Sequence, residues 1–225
     1  MLRPASFRIL STTPSLSSAA LVLAMTPSTA RLRINSPAHS FVEDGGGTKG
    51  LMGRVSSRAL DEGGKVHGII PTAFLAQEAP DRAGTRPNEQ ETIVRSMHER
   101  KKMMADLSYA FIGLPGGYGT LEEVAEMTTW SQIGVHLKPV VLLNINGFYS
   151  ALREFINNSI AAGYISETHR NFLLFVDGPA SKDAAFDWGE AALRAIDDWE
   201  AKGAGGAVPY SFEWSEDRRK GRAVL

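Results

Sequence analysis

There is no cysteine among the 225 residues. Disulfide frameworks, Cys-ligated zinc, iron–sulfur clusters and thiol nucleophiles are therefore excluded together. Charge of one sign is lacking as well: 24 Lys+Arg against 25 Asp+Glu give a net charge of −1. With aromatics at 8%, no basic, base-stacking surface is expected, and a nucleic-acid partner is not implied. Long hydrophobic runs are absent. The stretch Ala19 to Met25, AALVLAM, falls far short of the roughly 18 apolar residues of a membrane helix, so no membrane partner is expected. The histidines His39, His67, His98, His136 and His169 show no metal-ligand spacing, and no metal is implied. These exclusions leave a small-molecule partner and one α/β domain, or one domain plus a tail.

Acid is missing locally. From Met1 to Val42 there is no Asp or Glu, and Arg3, Arg8, Arg31 and Arg33 supply all the basic charge. The rest of the chain carries 20 basic and 25 acidic residues, a net of −5. An acid-free, Ser-rich, Arg-containing start has the composition of an organelle transit peptide, and AALVLAM could pass for a short signal-peptide apolar region. A disordered leader or a wrongly predicted first exon is the alternative reading. Residues 1–40 are thus read as an unassigned leader, 41–202 as the folded domain and 203–225 as a charged tail. A cytoplasmic location is expected, or an organelle if the leader is a transit peptide.

Beyond Phe41, short β-rich runs alternate with longer helical patterns, which predicts a Rossmann-like parallel sheet flanked by helices. Strands are expected near Val66 to Ile70, Glu91 to Val94, Tyr109 to Leu114, Pro139 to Asn144 and Phe172 to Val176. Helices are expected at Leu51 to Asp61, Met97 to Leu107, Leu121 to Ile133, Tyr149 to Ala162 and Lys182 to Lys202. Glu78 to Gln90, polar and Pro-containing, reads as a surface loop.

Two glycine clusters carry most of the functional signal. GGGTKGLMG, Gly45 to Gly53, formally contains GxGxxG. A dinucleotide site also needs an acid about 20 residues on, where this chain reads HGIIPTA. Gly46 and Gly47 are better read as letting backbone approach a ligand or a neighbouring helix, or as a tight strand-to-helix turn.

The second cluster is LPGGYGTLEE, Leu114 to Glu123, placed where a strand hands over to a helix. Gly116, Gly117 and Gly119 permit close approach, and the helix start offers free N–H groups to a phosphate. No Walker lysine follows, so a single phosphate fits better than a triphosphate. Thr120 to Glu123 spells a capping box, in which Glu123 would reach back to the backbone. The alternative is a catalytic carboxylate, ionised by the helix start. Glu122 lies about 100° round the helix from Glu123, so the two carboxylates do not share a target.

In SMHERKKMMADL, helical spacing puts Met97, Arg100, Met104 and Leu107 on one face. A guanidinium in that stripe is either snorkelling, paired structurally, or held beside the glycine loop to grip phosphate or carboxylate oxygens. Lys101 stands next to it.

Taken in order, GGGTKGLMG, MHERK, PGGYGTLEE and WSQIGVHLKPVVLLNINGFY resemble the LOG family, the cytokinin riboside 5'-monophosphate phosphoribohydrolases often mislabelled lysine decarboxylases. The resemblance spans about Phe41 to Leu174. It implies a homodimeric Rossmann-like hydrolase that cleaves a nucleoside 5'-monophosphate, of AMP or isopentenyladenosine monophosphate type, to free base and ribose 5-phosphate. No cofactor, and no PLP in particular, is implied. On the matching positions Arg100 and Glu123 would be the catalytic pair. Lys101, Gly116, Gly117, Tyr118, Gly119, Thr120 and Glu122 would bind nucleotide, with Glu78 matching a glutamate after the IIP strand. Trp130, Gln132, Gly134 and His136 are taken as mainly structural. A non-catalytic nucleotide-binding or cofactor-carrier protein on the same fold is the alternative.

Overall fold

The computed structural model describes residues 22–25, 41–44, 50–78, 86–179 and 186–206. A seven-stranded sheet forms the centre: β1 (Val22–Met25), β2 (Phe41–Asp44), β3 (Lys65–Pro71), β4 (Glu89–Val94), β5 (Ala110–Gly113), β6 (Val140–Asn144) and β7 (Leu173–Asp177). Their order across the sheet is β4-β3-β2-β1-β5-β6-β7. The helices are α1 (Gly50–Asp61), α2 (Thr72–Glu78), α3 (Met97–Leu107), α4 (Tyr118–Gln132), α5 (Ser150–Ala161) and α6 (Trp188–Ala201).

The expected α/β architecture is what forms. β2-β3-β4 and β5-β6-β7 pair in parallel. β6, with all five residues buried, reads as an unbroken apolar run because both its faces are covered. On one face Ala110, Ile112, Leu114, Val141, Leu143 and Val176 pack with Met52 and Val55 of α1 and Ala192 and Ile196 of α6. On the other, Phe111, Val140 and Leu142 pack with Ala105 of α3, Val124 and Met127 of α4, and Tyr149. Gly113 belongs to this second face. A Cβ there would lie 2.6 Å from Leu142 Cδ2 and 3.2 Å from Val124 Cγ2, so its absence lets α4 sit close to the sheet.

Four elements differ from the expectation; the first is Phe41–Asp44, which forms strand β2 where no strand is expected. Val22–Met25, inside the stretch read as an unassigned leader, forms a central strand, antiparallel to both β2 and β5. A four-residue apolar run in an acid-free segment carries no local signal for that role; its partners are β2 and β5, which come later in the chain. Thr72–Glu78, at the edge of the segment read as a loop, is helical. The expected helix from Lys182 begins at Trp188 within the described residues.

The glycine loop Leu114 to Gly117 leaves the carboxyl end of β5, and α3 starts just past the carboxyl end of β4. Both deliver side chains to the end of an open sheet where ligands collect.

Candidate active site

Local chemistry fixes where α3 begins. Ser96 is its N-cap, with extended backbone and a side chain that accepts from Glu99 N at 3.1 Å. Glu99 reaches back to accept from Arg95 N at 2.8 Å. This S-x-x-E is a near-ideal capping signal, one that the sequence reading passed over. It sets Arg100 at the end of the first turn, facing inward and 6% exposed. The apolar stripe expected around it is narrower than its spacing suggested. Met104 is buried, whereas Met97 and Leu107 are 36% and 40% exposed.

The T-x-x-E of the second cluster does not act as a cap. Gly117 is the N-cap of α4 and no side chain caps it. Thr120 lies within the first turn, fully buried, and its Oγ1 finds no hydrogen-bond partner among the described residues. A Cβ at Gly116 would sit 2.0 Å from that same Oγ1, so the glycine is required by close approach rather than by a left-handed backbone.

Glu123, released from capping, turns to Arg100. Arg100 Nη1 donates to Glu123 Oε1 at 2.7 Å, with the two side chains 7% and 5% exposed. Arg100 Nε and Glu123 Oε2 are buried without a hydrogen-bond partner among the described residues. Burial pushes the Glu123 carboxyl above the ordinary range, and the Arg100 guanidinium opposes that shift without cancelling it. The helix start therefore does not set the Glu123 carboxyl: desolvation raises its pKa and the paired guanidinium draws it back toward the charged form.

The adjacent residues form a second, more exposed pair. Lys101 Nζ contacts Glu122 Oε1 at 2.5 Å and Glu126 Oε2 at 2.7 Å. Burial alone would lower the lysine pKa; the two carboxylates outweigh it and raise it, keeping the group an ammonium. Glu122 and Glu123 do point to different partners, as their angular separation requires.

Gly117, Tyr118 and Gly119 are exposed at the loop, Tyr118 at 92%. A hollow of about 10 Å³ lined by Lys101, Met104, Phe111, Glu123 and Met127 lies beside Glu123; it has room for one water molecule at most. Glu78 ends α2, which follows directly on β3. Gly46 and Gly47 lie outside the described residues. Among the described residues no cluster of His, Asp or Glu could hold a metal ion.

The four residues taken as structural include His136, whose Nδ1 lies 3.1 Å from Ser131 Oγ and whose ring packs against Phe111 and Trp130. Burial, with the Lys138 charge adding to it, lowers its pKa to about 4. Gln132 Nε2 lies 3.1 Å from His169 Nδ1, tying the end of α4 to the approach to β7.

Two comparisons bear on this arrangement. Residues 52–184 match the family described as possible lysine decarboxylase. Over 135 residues, 60% of this chain, it is 47% identical to a probable cytokinin riboside 5'-monophosphate phosphoribohydrolase of Oryza sativa subsp. japonica, covering 57% of that protein. Over 139 residues it is 46% identical to a cytokinin riboside 5'-monophosphate phosphoribohydrolase of Arabidopsis thaliana, with 62% of each chain covered. The chain spans about three fifths of the length of these curated relatives. The family match covers more than half of the residues and includes both helices of the buried pair, and so the chain belongs to the possible lysine decarboxylase family.

Proposed function

We propose that this protein hydrolyses the N-glycosidic bond of a nucleoside 5'-monophosphate of the cytokinin riboside type, giving the free base and ribose 5-phosphate. The observation that carries the reading is the buried Arg100–Glu123 pair at the exit of a glycine loop, 2.7 Å apart, with a carboxylate oxygen and a guanidinium N–H that have no partner among the described residues. The names of the relatives supply the substrate class.

Breaking the bond from C1' to the base nitrogen builds positive charge on the sugar, and a carboxylate beside C1' stabilises it. Glu123 is that group. Its remaining oxygen also accepts a proton from the water whose hydroxyl bonds to C1', the base nitrogen takes up a proton from solvent as its bond to C1' breaks, and Glu123 returns its proton to solvent, so one water is consumed. Arg100 fixes the carboxylate and offers its spare N–H to the substrate. The amides at the start of α4 receive the 5'-phosphate, converting remote binding energy into orientation. The water-sized hollow beside Glu123 is too small for a ribose, so the sugar reaches the pair from the exposed Gly117–Gly119 side. Lys101, fixed as an ammonium between Glu122 and Glu126, is in the wrong protonation state for an amine nucleophile, which speaks against the decarboxylase chemistry in the family's description. A homodimer belongs to this reading through the resemblance, and a cytoplasmic location, or an organelle if the leader is a transit peptide, is compatible with it.

The test is to incubate the protein with AMP and with isopentenyladenosine monophosphate and to assay ribose 5-phosphate and free base. Release that disappears in Glu123→Gln supports the assignment. Tight nucleotide binding without release would favour the carrier alternative.

A further inference from the structure

The turn between β6 and α5 takes no part in the buried pair, yet it is heavily constrained. Asn146 and Gly147 both have left-handed backbone, φ 54° and 76°. Asn144, buried at the end of β6, closes the turn: its Oδ1 accepts from Tyr149 N at 2.6 Å. Its Nδ2 donates to Asp177 Oδ1 at 2.7 Å and to Ser150 Oγ at 3.3 Å. Asp177 is held in turn by Arg153 Nη2, 2.9 Å from each carboxylate oxygen. The turn is therefore anchored to the carboxyl ends of two strands.

What this anchoring presents is one hydroxyl. Tyr149 is 1% exposed, and its Oη donates to the Leu114 carbonyl at 2.5 Å. Burial pushes the phenol up to about 12, so it stays a donor across the working pH range. Leu114 is the residue from which the chain turns through Pro115 and Gly116 into α4. A buried carbonyl at that point would otherwise face the Tyr149 ring unsatisfied, at a cost in stability.

We propose that Tyr149 is a positioning residue for the glycine loop. Clamped by Asn144, it fixes the Leu114 carbonyl and thereby the angle at which Pro115–Gly117 delivers the free amides of α4 and the buried Thr120 hydroxyl to an anionic oxygen. Its consequence for ligands rests on the hydrolase reading above; the mechanical link does not.

The experiment pairs two measurements on the full chain and on Tyr149→Phe, which keeps the ring and removes the hydroxyl. Amide hydrogen exchange needs no ligand. Faster exchange at Gly116 to Thr120, with β5 and β6 unchanged, is the expected result, and unchanged exchange overturns the proposal. Titration with AMP and with adenosine reads the effect on a 5'-phosphate. AMP should bind about tenfold more weakly, one hydrogen bond's worth, with adenosine affinity unchanged. Parallel weakening of both ligands would mean that Tyr149 merely supports the fold and would overturn the proposal. Should the wild-type protein bind no AMP and release no ribose 5-phosphate, the hydrolase reading fails while the exchange result still decides the link. Asn144→Ala, which frees the clamp, provides a second route and should speed exchange at the same amides.

Discussion

Arg100 and Lys101 are neighbours on one helix, and Glu123 and Glu122 are neighbours on the next, yet the two ion pairs they form are physically unlike. The Arg100–Glu123 pair is almost wholly buried and, among the described residues, leaves polar atoms unmatched on both partners. Lys101 has two carboxylates, and Glu122 is half exposed. A pair designed only to tie α3 to α4 would look like the Lys101–Glu122 contact, where a half-exposed carboxylate tolerates imperfect geometry and the gain is small. The first takes two charges out of water and stops short of satisfying them. An arrangement of that kind is costly for the fold and is expected where the unmatched atoms have a ligand to meet.

That contrast can be broken experimentally. The largest effect is expected at Glu123. Glu123→Gln should lower turnover by about 10²-fold or more while AMP binding stays measurable, whereas Glu122→Gln should change turnover by no more than about threefold. Equal losses in the two variants would erase the distinction. Next comes Arg100→Met, which leaves a buried carboxylate without its counter-charge and should cost about 3 kcal/mol in urea unfolding at neutral pH.

The pH dependence follows from the direction of the Glu123 shift. Since its folded-state value lies above that of an unfolded glutamate, protonated Glu123 favours folding, and this contribution fades as pH rises through the raised value. Activity makes the opposite demand, because the ionised form is the one that works. The acid limb of kcat/KM should therefore lie above 4.5, the ordinary value for a glutamate, and should disappear in Glu123→Gln along with the residual activity's pH dependence. The smallest effect is expected for Lys101→Met. It should shift Tm by no more than about 4 °C, and by less at high salt, because its carboxylate partners keep contact with solvent once the lysine is gone.

The same contrast shows what was legible in the residues alone. Met97 to Leu107 is readable as a helix from its apolar spacing alone, and Arg100 stands out as a charge in that stripe. Glu123 is legible only as either a cap or a catalytic carboxylate, and its pairing with Arg100 comes from the resemblance rather than from local pattern. T-x-x-E at Thr120 to Glu123 and S-x-x-E at Ser96 to Glu99 are the same local pattern, but only Ser96 caps. Which of them caps is decided by packing. Gly117 takes the N-cap, so Thr120 falls inside the helix, and α3 then stands within reach of Glu123. Strand β1 was illegible for a related reason: four apolar residues acquire meaning only from β2 and β5, which flank them. The Tyr149 link is likewise a long-range matter, joining residues 35 apart in sequence.

The contact between Gly116 and Thr120 restricts how this loop can change over generations. An alanine at 116 collides with the threonine hydroxyl at 2.0 Å, and even after Thr120 is cut back to alanine the two methyl carbons would stand 2.9 Å apart. Neither position has an easy single-step route to a bulkier neighbour, so descendants that keep a working loop should inherit the two residues as a unit, and a change at 116 should appear only in lineages where 120 has already lost its side chain.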